Sequence, residues 1–229
     1  MAEQTELSRL HQKFLRHLID KGQAPSVGDM AIQLRKTEGE TKGLLRELSD
    51  YHGAVLHPGS HKVWVMHPFS MAPTNFLVRN QDGEWWSSCA WCALGAAALL
   101  KSDVSISTRL GAVGNQVEVH IRGGEVVEKD YLVHFPIEME RAWDNVIYTC
   151  STMLLFETEA EIDIWSARHG IAKGDVQPVD KVWKFAQVWY GKHLDEDWAK
   201  WTVDEVKEIF SRFGFTHKVW QLSASSERF

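Results

Sequence analysis

Apolar residues recur at helical spacing through the first fifty positions of the chain. Leu7, Leu10, Phe14, Leu15 and Leu18 define one face of a helix over residues 5–20. The stretch APSVGDMAIQL (24–34) reads as a turn and a short helix. Residues 36–53 read as a third helix, with Leu44, Leu45 and Leu48 on one face and Gly53 as its stop. AVLHPGSHKVWVMH then predicts two short strands about a Pro58-Gly59 turn. Three helices followed by a hairpin is the layout of a winged helix. Such a layout binds DNA when its recognition helix and wing are basic, yet here Lys42 and Arg46 are mixed with Glu38, Glu40 and Glu47. Residues 1–68 are therefore expected to be a winged-helix-like structural module, with a winged-helix regulator as the less favoured alternative.

The pattern changes after residue 67. HPFSMAPTNFLV leads to the loop Asn80-Gln81-Asp82-Gly83 and then to WWSSCAWCALGAAALL (85–100), small and apolar throughout, which reads as a helix holding Cys89 and Cys92. VSISTRL, QVEVHIRGGEVVEK and YLVHFPIE alternate as antiparallel strands do, with Gly123-Gly124 as a hairpin turn. Cys150 sits in an apolar run (141–157) that fits helix or strand. Residues 158–170 open with Thr158 and Glu161 in a capping-box arrangement and close on Gly170, so a helix is expected. DKVWKFAQVWYGKHL and TVDEVKEIFSRFGF are two further amphipathic helices, the second with Thr202, Glu205 and Gly214 as its punctuation. The fold class is α+β. The expected order is the N-terminal module (1–68), a mixed or antiparallel sheet domain with flanking helices (69–170), and a helical C-terminal extension (171–229).

Composition narrows the function. With 229 residues and 44% apolar content, the chain can bury a substantial core. No apolar run approaches the length of a membrane span, and the charged N-terminus is not that of a signal peptide. A net charge of −6 argues against nucleic acid or an anionic membrane as partner. Three cysteines without framework spacing fit a reducing cytoplasm. Eleven tryptophans supply aromatic bulk for a core or the walls of an apolar ligand pocket.

The cysteines are the candidate chemistry. A zinc site usually needs four ligands, and no second CxxC or suitably spaced histidine pair follows Cys89 and Cys92. A thioredoxin-type motif needs the pair just after a strand, whereas Trp85 to Cys92 reads as helix. On residue type alone, both cysteines suit small core positions.

HPFSMAPTNFLV, then CAWCALGAAAL, then NVIYTCSTMLLFETEAEIDIW together resemble the alkylmercury lyase family. Trp91-Cys92-Ala93-Leu94 is similar to the family's first cysteine motif. Cys150, 58 residues on, falls at the second, and Phe156, Glu159, Glu161 and Trp165 match the segment after it. The resemblance implies thiolate-dependent protonolysis of a carbon–mercury or related carbon–metal bond, with Cys92 and Cys150 as catalytic residues and metal ligands. It implies no resident cofactor: mercury is substrate and product, a small thiol is co-substrate, and the partner is a small organometallic or thiol-reactive molecule. Soft mercury(II) prefers thiolate sulfur, which explains the need for two cysteines.

One position departs from the family. Gly95 stands where the family carries an acidic residue that helps move a proton to carbon, and glycine has no group for that. Restoring a carboxylate by Gly95→Asp is accordingly expected to raise cleavage. Cys89, one helical turn from Cys92, is an added thiol: either a third catalytic candidate, as sulfur ligand and proton donor, or a passive core residue. The alternatives are a non-catalytic binder of soft metals or organometals and a relative repurposed to another thiol-dependent reaction. His67, His120 and His134 read as structural histidines. Asp82 and Glu84 read as favourable charge before the cysteine helix.

Overall fold

The computed structural model describes residues 2–223, with side chains from residue 6 onward. The leucine stripe of the N-terminus forms α1 (Ala2–Lys21), followed by α2 (Val27–Leu34) and α3 (Glu38–Asp50). Ser26 and Thr37 cap α2 and α3 through capping boxes with Asp29 and Glu40. The expected hairpin follows as β1 (Val55–Leu56) and β2 (Val63–Met66). It continues directly into β3 (Phe69–Ser70), β4 (Phe76–Arg79) and β5 (Glu84–Ser87). After α4 (Ala90–Leu100) come β6 (Val104–Arg109), β7 (Gln116–Arg122) and β8 (Glu125–Val126). These eight strands make one antiparallel sheet in the order β1-β2-β3-β5-β4-β6-β7-β8. The hairpin after the three helices is thus an edge of the central sheet.

A second antiparallel sheet, ordered β10-β9-β11, joins β9 (Leu132–Phe135), β10 (Leu155–Phe156) and β11 (Asp175–Pro178). Between β9 and β10 lie a 3₁₀ segment (Met139–Asn145) and α5 (Val146–Thr152), which resolves the ambiguous Cys150 segment as helix. α6 (Glu159–His169) starts at Thr158 and stops at left-handed Gly170, as its sequence signals predict. α7 (Val179–Tyr190) and α8 (Val203–Arg212) complete the described elements of helix and strand, apart from short 3₁₀ turns. Among the described residues no helix is long and apolar enough to cross a membrane.

α4 is the centre of the core. Its sequence is apolar all round, as a fully enclosed helix requires. It packs on β4 and β5 on one side and on α7 on the other. The buried face of α7 carries Val182, Trp183, Phe185, Ala186 and Tyr190. Phe185 is wholly buried, with its ring 4.7 Å from Trp91 and 5.0 Å from Phe215 between centroids. Part of the aromatic content therefore fills a core that binds α7 and α8 to α4. Truncation by Phe185→Ala is expected to cost about 3–5 kcal/mol, read by denaturant unfolding, because the surrounding rings cannot collapse into the space.

Candidate active site

Two elements deliver the cysteines to one place. Trp85 to Ser87 lies in β5, so the helix begins later than its composition suggested: Cys89 is extended (φ −158°) and caps α4. This corrects the expectation of one helix through Trp85–Cys92 and removes the ground on which a strand-then-CxxC arrangement was set aside. The Cys92 amide donates to Cys89 Sγ at 3.2 Å, placing Cys92 in the first turn, where the free backbone amides and the helix dipole favour an anion. The Ala90 amide donates to the Met153 carbonyl at 3.0 Å, drawing the end of α5 against the start of α4. Cys150 is thereby brought to Cys92. The thiol sulfurs of Cys92 and Cys150 and a ring nitrogen of His67 all lie within 4.8 Å of one another.

All three cysteines are free and buried. Burial opposes ionisation of Cys92, but hydrogen bonds with the Cys150 and Cys89 thiols and with His67 hold it well below the ordinary cysteine range. His67 Nδ1 is 3.5 Å from Cys92 Sγ, and the Tyr190 hydroxyl is 3.4 Å from it on another side. Burial, opposed by hydrogen bonding with Cys150, pushes Cys89 up. The hydrogen bonds that Cys150 makes to Cys89 and Cys92, followed by burial, push Cys150 up as well. Cys92 is therefore the cysteine most disposed to ionise, flanked by two thiols held toward their neutral form. Thiolate ultraviolet absorbance at neutral pH is expected to correspond to one group per chain and to vanish in Cys92→Ser.

Gly95 presents its missing side chain to Tyr190. A Cβ built there meets Tyr190 Cδ2 at 2.2 Å and Cγ at 2.8 Å, and Tyr190 is itself only 3% exposed. The space beside Cys92 that a side chain at position 95 would enter is filled by a phenol from α7. A side chain at position 95, an aspartate included, would have to displace Tyr190 to reach that space. Gly95→Ala is expected to destabilise the fold by about 1–3 kcal/mol through overpacking. The penalty should shrink in a Tyr190→Ala background, a coupling that a double-mutant cycle measures.

Other sequence candidates fall elsewhere. Asp82 lies in the turn after β4, and Glu84 opens β5 in an ion pair with Arg79 (3.0 Å), so neither stands at the start of α4. His120 pairs with Glu128 at 2.8 Å, and His134 Nε2 lies 2.5 Å from the Lys173 carbonyl; both are structural, as expected. His67 is the misread residue: instead of a loop hydrogen bond, it turns one ring nitrogen to Cys92, while Nε2 has no partner among the described residues. Tyr190 lay hidden in the apolar face of a predicted amphipathic helix, where its hydroxyl gave no signal of its own.

The cysteines open onto a chamber of about 100 Å³ whose walls include Trp143, Trp189, Trp198 and Trp201. The wall beyond α7 is held by α1: Ser8 Oγ donates to the Trp198 carbonyl, and Gln12 and Arg16 donate to the Leu194 carbonyl at 3.2 Å each. His11 stacks on Trp198 with centroids 3.6 Å apart. The tryptophans thus serve both expected purposes, core and pocket.

Comparison with known proteins places the chain in a family. Residues 69–191, more than half of the chain, match the family model described as MerB: Alkylmercury lyase, and the chain belongs to that family. The matched residues run past both cysteines and through α7. Among solved structures, the mercury-bound form of MerB2 superposes with a TM-score of 0.64 at 19% identity, covering 85% of this chain and 100% of that one. No curated protein matches the chain.

Proposed function

We propose that the protein cleaves carbon–mercury bonds by protonolysis, with Cys92 and Cys150 as the working pair. The observation that carries this reading is the meeting of their sulfurs, from two separate helices, within 4.8 Å inside a largely apolar chamber. Sulfur is the ligand class that soft metals select. Cys92 attacks the metal of R–Hg–X as thiolate and expels X⁻. Cys150 then adds its sulfur to mercury while its thiol proton passes to carbon, so R–H leaves and mercury remains bridged between the two sulfurs. Charge and protons balance without a carboxylate, because the proton delivered to carbon is the one Cys150 already holds. Cys89 is the supporting thiol that shares its hydrogen bonds with both partners. The Tyr190 hydroxyl, donating to Cys92 Sγ, positions the attacking sulfur. A small thiol in excess then removes mercury from the two sulfurs and restores the resting state.

A second reading has one observation in its favour. Among the described residues no carboxylate lines the chamber, so a binder of soft metals or organometals fits the same walls. Incubation with an organomercurial and excess small thiol separates the two, the lyase releasing hydrocarbon and the binder none. Cys92→Ser is expected to abolish both mercury capture and release of R–H. Cys150→Ser should retain capture and slow release by at least about 100-fold, the lower range for loss of a positioned proton donor. Cys89→Ala should slow release by less than Cys150→Ser does. Hydrocarbon release at the wild-type rate by Cys150→Ser would overturn the assignment of the pair.

A further inference from the structure

Among the described residues, the chamber wall carries one lysine that the reaction above does not use. Lys200, between α7 and α8, lines the same chamber as the cysteines and is half-buried. Its Nζ lies 5.6 Å from the ring centroid of Tyr51, 5.8 Å from that of Trp143, and 3.4 Å from His52 Nδ1. Three other partly buried lysines have carboxylate partners: Lys36 with Glu6, Lys42 with Glu38, and Lys173 with Glu159 and Asp163. Lys200 has none among the described residues, and none of the side chains lining the chamber is acidic. Burial pulls its ammonium down to about 8, so at neutral pH it remains largely charged while partly desolvated. Aromatic faces offset part of that loss. A desolvated cation without a counter-ion is the element of a site that an anionic ligand completes.

We propose that Lys200 is a specificity-determining residue that selects organomercurials whose organic group carries a carboxylate. The indole of Trp143, within 6 Å of the same ammonium and stacked on His52 at 4.4 Å, offers a flat wall for an aryl ring between carboxylate and metal. Lys200 holds the anionic end of the substrate, the aromatic walls hold the ring, and the cysteines take the metal. This inference rests on the lyase reading for its assay, and the test keeps the two apart.

para-Chloromercuribenzoate and phenylmercuric chloride share a ring and a carbon–mercury bond and differ by one carboxylate. With both as substrates and excess small thiol, the wild-type protein is expected to favour the carboxylated compound in kcat/KM by about tenfold at low salt, the effect of one partly exposed charge-assisted hydrogen bond. Lys200→Met should bring the ratio of the two values close to unity, Lys200→Arg should preserve it, and Lys200→Glu should reverse it. An unchanged ratio in Lys200→Met, or a wild-type preference for the phenyl compound, overturns the proposal. If neither compound yields arene, the lyase reading has failed, and binding decides Lys200 by itself. Quenching of the chamber tryptophans by the same two compounds should then show tighter binding of the carboxylated one, by a similar factor, in wild type and Lys200→Arg but not in Lys200→Met. Equal quenching in all three would overturn it.

Discussion

The approach of α7 to α4 at Gly95 is the constraint on which the rest of the site depends. A fully apolar helix must be covered on every side, and on this side the cover is an aromatic ring lying where a Cβ would be. That contact seats Tyr190 with its hydroxyl on Cys92, and it holds α7 so that Trp189 and the residues beyond it close the chamber. Remove the space at position 95 and the helix pair must separate. The sulfur loses a donor and the chamber loses a wall together, because one packing event supplies both.

The electrostatics of the site follow from enclosure. In water, three cysteines near one another would titrate almost independently. Here each is buried, so ionising more than one would place like charges a few ångströms apart in a medium that screens them poorly. The set settles on one thiolate, and Cys92 holds it because it gathers the Cys150 and Cys89 thiols, His67, and the first turn of a helix. The two remaining protons stay beside the nucleophile. A site with no carboxylate among its described lining residues thereby keeps protons beside Cys92, held on thiol sulfur.

Much of this was legible in the chain. Capping boxes at Thr158 and Thr202, the stops at Gly170 and Gly214, and the Gly123-Gly124 hairpin are local signals, set by backbone chemistry over a few residues, and each appears where the pattern places it. Cys92 and Cys150 were recognisable from the motifs around them. The start of α4 was misread because Trp85, Trp86 and two serines suit a strand and a helix end equally well, and the arbiter is pairing with Phe69 to Arg79, which is not local. His67 and Tyr190 were beyond reach for a related reason. Their contacts with Cys92 span 25 and 98 residues, and nothing in either residue's neighbours announces a distant sulfur. Lys200 likewise looks like a solvated surface residue until Tyr51 and Trp143 are brought to it.

The bonds from α1 to the segment after α7 bear on how this chain can be divided and recombined. Ser8, Gln12 and Arg16 hold two carbonyls of that segment, and His11 stacks on its Trp198. The first helix therefore supports a wall of the chamber, although it stands in sequence among helices that resemble a detachable unit. A chimera joining these N-terminal helices to the catalytic portion of a relative would exchange part of the chamber along with them. α1 and the segment after α7 form one structural unit, and they must be exchanged together for the chamber to keep its shape.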